Sequence, residues 1–146
     1  MRRLPPSWFT LQLASAYTTQ PVEIPTNATQ SWFVESTRDV LEKHDAAFCL
    51  ADSPRRRTPA WRTASWGYLR LHEGRASPHP CYGRQALTHW AERLAECWSA
   101  DEDVYVFFNN DHRACAVRDA RVFARACERA GLQPTRVPGP SDVRVA

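Results

Sequence analysis

The chain has 146 residues, of which 43% are hydrophobic and 24% charged, and its formal net charge is +3. This is the profile of one soluble domain with a real core, and the charge is too small to indicate a nucleic-acid-binding protein by itself. No apolar run approaches the roughly 20 residues that span a bilayer, and the N-terminus does not resemble a signal peptide, so we expect a cytoplasmic protein without a membrane partner.

Four runs of β-branched, aromatic and other apolar residues predict strands, the first of them short and weak. They cover residues 21–24, 46–52, 65–72 and 104–109. Apolar residues at helical spacing predict three helices. These lie within residues 33–44, 87–98 and 117–127. Gly131 followed by Pro134 predicts the end of the last helix. The alternation predicts an α/β fold with a parallel sheet built of βαβ units.

The ends of the chain and two long loops differ from these elements. Residues 1–30 contain no convincing helix and are predicted to be a poorly defined N-terminal segment, and residues 138–146 a loose tail. The loops 53–64 and 73–83 are long and follow the C-terminal ends of predicted strands, where α/β proteins carry functional residues.

The five cysteines are odd in number and no two have CxxC spacing. They are Cys49, Cys81, Cys97, Cys115 and Cys127. Most have apolar neighbours, so the pattern favours free buried thiols in a reducing compartment. Because no Cys/His cluster has ligand spacing, we do not expect a metal site.

The most informative segment runs from residue 103 to residue 111. A buried strand ends here in Asn109, Asn110 and Asp111, and the C-terminal ends of parallel strands are where α/β folds bind ligands. We expect these three side chains to contribute to substrate binding, one of them facing the site and another capping the following helix.

A second polar group lies on the preceding strand. Tyr68, Arg70 and His72 alternate and therefore share one side of the strand. Arg70 can bind a carboxylate or phosphate through paired hydrogen bonds, and an imidazole such as His72 can exchange a proton near neutral pH. The alternative is a hydrogen-bonded group that only fills the polar end of the core.

Asp52 ends the strand before that one. Its carboxylate can orient His72 or Arg70, or help to hold a metal. Equally, Asp52 and Ser53 can cap backbone groups in a turn.

Three motifs in the same order resemble one known family. Residues 49–53, residues 68–72, and residues 104–111 with 116–120 look like the C-terminal half of the domain-of-unknown-function 72 (YecE-like) family. The resemblance covers about residues 31–137. It implies a TIM-type α/β barrel whose biochemical activity is not established, represented here by about four C-terminal βα units.

The chain also departs from that family pattern. The first strands are missing, and Leu4 to Ser7 look like the end of the family's fourth strand. The Arg-His pair expected shortly before Ser31 and Trp32 is absent, and Glu23 would be the fifth-strand carboxylate. Because half a barrel leaves open edges and an uncovered apolar side, we expect the chain to form a homodimer that completes the barrel, to bind a missing half, or to be poorly stable.

These observations favour a barrel enzyme, or its truncated remnant, that binds a small anionic or sugar-like ligand at its strand ends. The candidate catalytic residues are His72 and Asp52, and the candidate binding residues are Arg70, Tyr68, Asn109, Asn110 and Asp111. The sequence leaves open whether a cofactor is bound. The alternative is a non-enzymatic nucleic-acid-binding module that uses Arg55 to Arg57 with Trp61 and Trp66, but nucleic acid is not an expected partner.

Overall fold

The computed structural model describes residues 10–13, 32–55, 57–137 and 139. The elements in chain order are β1 (Thr10–Leu13), α1 (Glu35–Lys43), β2 (Cys49–Asp52), β3 (Gly67–Leu71), α2 (Arg84–Cys97), β4 (Val104–Phe108) and α3 (Cys115–Arg129). The three helices and the last three strands lie where the apolar periodicity predicts them. Each of those strands is shorter than its predicted run, because the regular pairing of the sheet does not include all of the flanking residues.

The strands form one parallel sheet in the order β1-β4-β3-β2. Strands β2, β3 and β4 are neighbours in chain order, and β1 pairs with the free side of β4. The sequence did not predict β1. The predicted strand at 21–24, the segment from Leu4 to Ser7, and Glu23 lie outside the described residues.

One side of the sheet is covered by α2 and α3. Burial alternates along β3 and β4, and on this side every strand residue is buried. Leu69, Leu71, Val106 and Phe108 are fully inaccessible and share one apolar cluster with residues of both helices. Full burial of each such side chain contributes about 1.5–3 kcal/mol, so this layer holds the fold together.

The other side of the sheet is open among the described residues. Tyr68, Arg70, Tyr105 and Phe107 are only half-buried there. The Tyr68 and Phe107 rings lie 5.2 Å apart between centroids, and Trp66 meets Tyr105 edge to face at 5.8 Å. These aromatic residues and Asp103 line a hollow of about 570 Å³. The same strands thus present an apolar core on one side and a partly exposed aromatic surface on the other.

The expectation that all cysteines are free is wrong for one pair. Cys81 and Cys115 form a disulfide across 34 residues. The bond ties the loop after β3 to the first residue of α3. Cys49, Cys97 and Cys127 are free thiols, and burial raises the pKa of Cys127 to about 12. Spacing along the sequence cannot reveal such a pair, because its proximity arises only when the β3 loop packs on α3.

Helix α1 lies at the margin of the core. No residue within it is buried, although Leu41 is packed against the core cluster. Trp61 lies beside Phe33 and Phe48, with its ring centroid 6.2 and 5.2 Å from theirs. Trp61 therefore packs rather than projects from the surface. In the part of the chain that is described, no helix is long and apolar enough to cross a membrane.

Candidate functional site

Arg70 and Asn109 meet at the C-terminal ends of β3 and β4. Arg70 is the penultimate residue of β3 and lies on the open side, where its Nε atom is 3.4 Å from Asn109 Oδ1. The backbone N–H of Asn109 donates to the Leu71 carbonyl at 2.9 Å and so continues the β3–β4 ladder past the last strand residue. The structure thus brings these two predicted site residues together.

Two ionisable side chains accompany Arg70 on β2 and β3. Cys49 and Tyr68 are paired in the sheet register. Burial raises the pKa of Cys49 to about 11, and the charge of Arg70 opposes part of that rise. Burial also raises the pKa of Tyr68, with the same opposing effect of Arg70. Both groups are therefore protonated at neutral pH, and neither neutralises the guanidinium.

His72 follows β3 directly and is half-buried. Its backbone N–H donates to the Asp52 carbonyl at 3.0 Å, which holds the residue at the strand end beside β2. It therefore lies two positions beyond Arg70 at the same edge of the sheet.

Asp52 points to the side of the sheet opposite Arg70. It is 7% exposed, and its Oδ2 atom accepts a hydrogen bond from Trp90 Nε1 at 2.8 Å. Its backbone carbonyl accepts from the Tyr82 hydroxyl at 2.9 Å. Of the roles expected for the Asp52 carboxylate, orienting Arg70 is therefore wrong. The carboxylate lies on the other side of the sheet, where Trp90 and Arg57 are its partners.

Asn110 is likewise drawn to the helix side. It is 2% exposed, and its Nδ2 group donates to the Pro80 carbonyl at 3.0 Å and to Asp119 Oδ2 at 2.8 Å. A flipped amide would place its oxygen against both acceptors, so the orientation follows from the contacts. Its Oδ1 atom is buried without a hydrogen-bond partner among the described residues. Asn110 therefore supports the loop and does not face the open side.

Asp119 is a buried carboxylate that the sequence reasoning did not select. It is 1% exposed, and Oδ2 also accepts from the Tyr82 backbone N–H at 2.7 Å. Arg118 donates to Oδ1 at 3.1 Å. The signal in the sequence is an acidic residue inside the apolar stripe of α3, between Ala116 and Ala120. A carboxylate at such a buried position needs hydrogen-bond partners, which marks it as a structural or functional residue.

The start of α3 lacks the side-chain cap that the sequence predicted. Asp111 is exposed, and its backbone carbonyl accepts from the Ala114 N–H at 3.1 Å. No side chain caps α3, and Ala114 at its N-terminus has a left-handed backbone with φ of 55°. The expectation of an Asn or Asp side-chain cap is therefore wrong, since the Asn110 backbone carbonyl, not a side chain, bonds the first turn through Ala116 N–H.

The arginine loop after β2 lies beside Asp52. Arg57 Nε is 3.4 Å from Asp52 Oδ1, Arg55 is exposed, and Arg56 lies outside the described residues. Over the ranges that the structure describes, there is no group of three or more His, Cys, Asp and Glu residues able to hold a metal ion.

Comparison with known proteins connects this geometry to a family. The family model described as "Protein of unknown function DUF72" matches residues 28–142, which confirms the resemblance seen in the sequence. A DUF72 family protein from Thermotoga maritima is 25% identical, with a TM-score of 0.59, over 68% of this chain and 43% of its own.

A DUF72 family protein from Enterococcus faecalis shares the fold in two crystal structures, at 18% and 16% identity and TM-scores of 0.57 and 0.56. Each match covers 68% of this chain, and the chain spans less than half, 44–45%, of the Enterococcus protein. The comparison with curated proteins gives no match.

Proposed function

Because this chain belongs to the DUF72 family, we propose that it binds a small anionic or sugar-like ligand at the C-terminal ends of β3 and β4, with Arg70 as the main contact. One observation carries the proposal: Arg70 lies on the open side at a strand end, with its Nε atom 3.4 Å from Asn109 Oδ1. A guanidinium has several N–H donors in a fixed fork, so it can bind a carboxylate or phosphate while Asn109 orients it.

The surroundings of Arg70 support an anion rather than a cation. Because the pKa values of Cys49 and Tyr68 are both raised, these neighbours are neutral at physiological pH and add no negative charge beside the guanidinium. A guanidinium beside neutral, half-buried groups attracts an anion more strongly than one in open water, because the local dielectric constant is lower.

His72 is the residue placed to transfer a proton in this proposal. It lies two positions beyond Arg70 at the same edge, so a ligand held by Arg70 would come within its reach. Tyr68 and Asn109 would contact or orient the same ligand, and exposed Asp111 would lie at the rim. Asp52 and Asn110 contribute indirectly, by fixing the strand ends to α2 and α3.

The proposal extends to the fold. The open side would be the inner wall of a partial TIM-type barrel, and a homodimer would cover it. Three parallel strands in chain order support the barrel, as do the half-buried aromatic side chains on the uncovered side. Light scattering over a range of protein concentrations tests the dimer, and a stable monomer at all concentrations would contradict it.

The binding proposal is tested by titrating inorganic phosphate and glucose 6-phosphate into ¹⁵N-labelled protein. We expect shifts in the resonances of Arg70, His72 and Asn109. In Arg70→Gln the affinity should fall about 10- to 100-fold, because a hydrogen bond to a charged group contributes about 1.5–3 kcal/mol.

Arg75→Gln is the matched control, since Arg75 is exposed in the loop after β3 and the charge change is the same. Circular dichroism of each variant establishes that the fold is kept. Arg75→Gln should bind these anions as tightly as the unchanged protein. If Arg70→Gln does so too, the proposed site is wrong.

A further inference from the structure

A separate basic surface lies on α3, on the far side of the helical layer from the open sheet. Arg84, at the start of α2, lines a groove of about 420 Å³ together with Val122, Arg125 and Arg129 of α3. All three arginines are exposed, and within the described residues none of them has an acidic partner.

The groove continues into a row of arginines along α3. Arg118, Arg121, Arg125 and Arg129 follow one another at spacings of three, four and four residues, which places them on one side of the helix. At a rise of about 1.5 Å per residue the row is roughly 16 Å long. The opposite side of α3 is buried in the core, so the row faces outward.

Acidic side chains do little to offset this row. Helix α3 contains two, Asp119 and Glu128. Asp119 is buried and accepts from Arg118, whose own side chain remains 61% exposed. Glu128 is exposed. The surface along α3 is therefore basic, although the formal net charge of the whole chain is only +3.

We propose that the α3 arginine surface, formed by Arg84, Arg118, Arg121, Arg125 and Arg129, binds the phosphate backbone of nucleic acid without reading its sequence. One cation per helical turn, about 5 Å apart, suits a regularly repeating polyanion. Along α3, Arg118, Arg125 and Arg129 are exposed and Arg121 is half-buried. A row of cations over several turns differs from a small-ligand site, which is mostly apolar and has a few converging polar groups. Arginine also binds phosphate in a bidentate manner.

The test is fluorescence anisotropy with a labelled short DNA duplex. If three phosphates are contacted, affinity should fall roughly 40-fold between about 50 and 200 mM salt. In the triple variant Arg84→Gln/Arg125→Gln/Arg129→Gln we expect binding to weaken at least about 10-fold at low salt and to lose most of this salt dependence.

The control triple variant Arg55→Gln/Arg75→Gln/Arg136→Gln removes the same charge from exposed positions elsewhere. It should keep its affinity within about two-fold and its salt dependence, because it leaves the phosphate contacts in place. Equal weakening in both triple variants would show that net charge alone governs binding and would overturn the proposal.

Two further arms separate this surface from other sites. Arg70→Gln should leave duplex binding unchanged, so that the strand-end site and the α3 surface can fail independently. Vesicles containing phosphatidylserine serve as an alternative polyanion. If the unchanged protein binds the vesicles but not the duplex, the nucleic-acid assignment is wrong. If Arg70→Gln abolishes duplex binding, the assignment of that binding to the α3 surface is wrong.

Discussion

The two sides of the sheet are made by the same strands but differ in how deeply their side chains are buried and in how their polar groups are bonded. On the helix side, Leu71 and Phe108 are fully buried, and the polar residues Asp52 and Asn110 are satisfied by hydrogen bonds from or to distant segments. On the open side, Arg70 and the aromatic residues around it are only half-buried. The helix side therefore carries the stability of the fold, and the open side is the one to which we assign the proposed ligand and the proposed second subunit.

This difference explains why polar residues at strand ends separate into two kinds. Asn109 and Asn110 are adjacent in sequence, yet Asn109 reaches Arg70 on the open side and Asn110 reaches Asp119 under the sheet. Successive strand residues point to opposite sides, so adjacent asparagines lie on different sides of the sheet and contact different partners.

The sharpest test of the comparison uses two adjacent phenylalanines of β4. Phe108→Ala should lower the free energy of unfolding by about 3–5 kcal/mol, because the side chain is fully buried between the sheet and α3. Phe107→Ala should cost less than about 1.5 kcal/mol, because Phe107 is only half-buried.

Urea denaturation at two protein concentrations measures both effects. If Phe107→Ala destabilises the protein as much as Phe108→Ala at the higher protein concentration but less at the lower one, a second copy covers the open side. This result would support the dimer. An equal cost at all concentrations would mean that the open side is as well packed as the helix side, and that the two sides do not differ in their contribution to stability.

The disulfide is the next largest expected effect. Cys81→Ser/Cys115→Ser should destabilise the oxidised protein by about 3–4 kcal/mol, because the bond closes a loop of 34 residues in the unfolded chain. A reductant should destabilise the unchanged protein to a similar extent and leave the double variant unaffected.

Cys97→Ser is the matched control, since Cys97 is a free thiol at the end of α2. Thermal unfolding with and without the reductant compares the three proteins. If the unchanged protein responds to the reductant no more than the double variant does, the bond contributes nothing to the fold.

The smallest effect distinguishes the two asparagines. Asn110→Ala should cost about 2–3 kcal/mol, because it removes two hydrogen bonds of a buried side chain, one of them to a carboxylate. Asn109→Ala should cost less than about 0.5 kcal/mol, because its bond to Arg70 is long and lies at the open side. Phosphate titration should show the reverse order, with Asn109→Ala weakening binding and Asn110→Ala leaving it unchanged if the fold is kept.

Much of the fold could be predicted from the sequence because it is encoded by local periodicity. The apolar spacing of α2 and α3, and the alternation in β3 and β4, repeat over enough residues to identify the elements and the shared side of Tyr68 and Arg70. By contrast, β1 has only four residues, Thr10–Leu13, and its place beside β4 depends on pairing with a strand more than ninety positions away.

The sequence by itself determined the α/β class, the family, the three helices, and the position of Arg70 and Asn109 near strand ends, because these follow from local patterns and ordered motifs. Only the tertiary structure decided that Asp52 and Asn110 turn to the helix side, that Cys81 pairs with Cys115, and that the arginines of α2 and α3 share one surface. The physical reason is that a buried polar group or a thiol goes to whichever partner the packed chain brings within reach, and that partner lies many residues away.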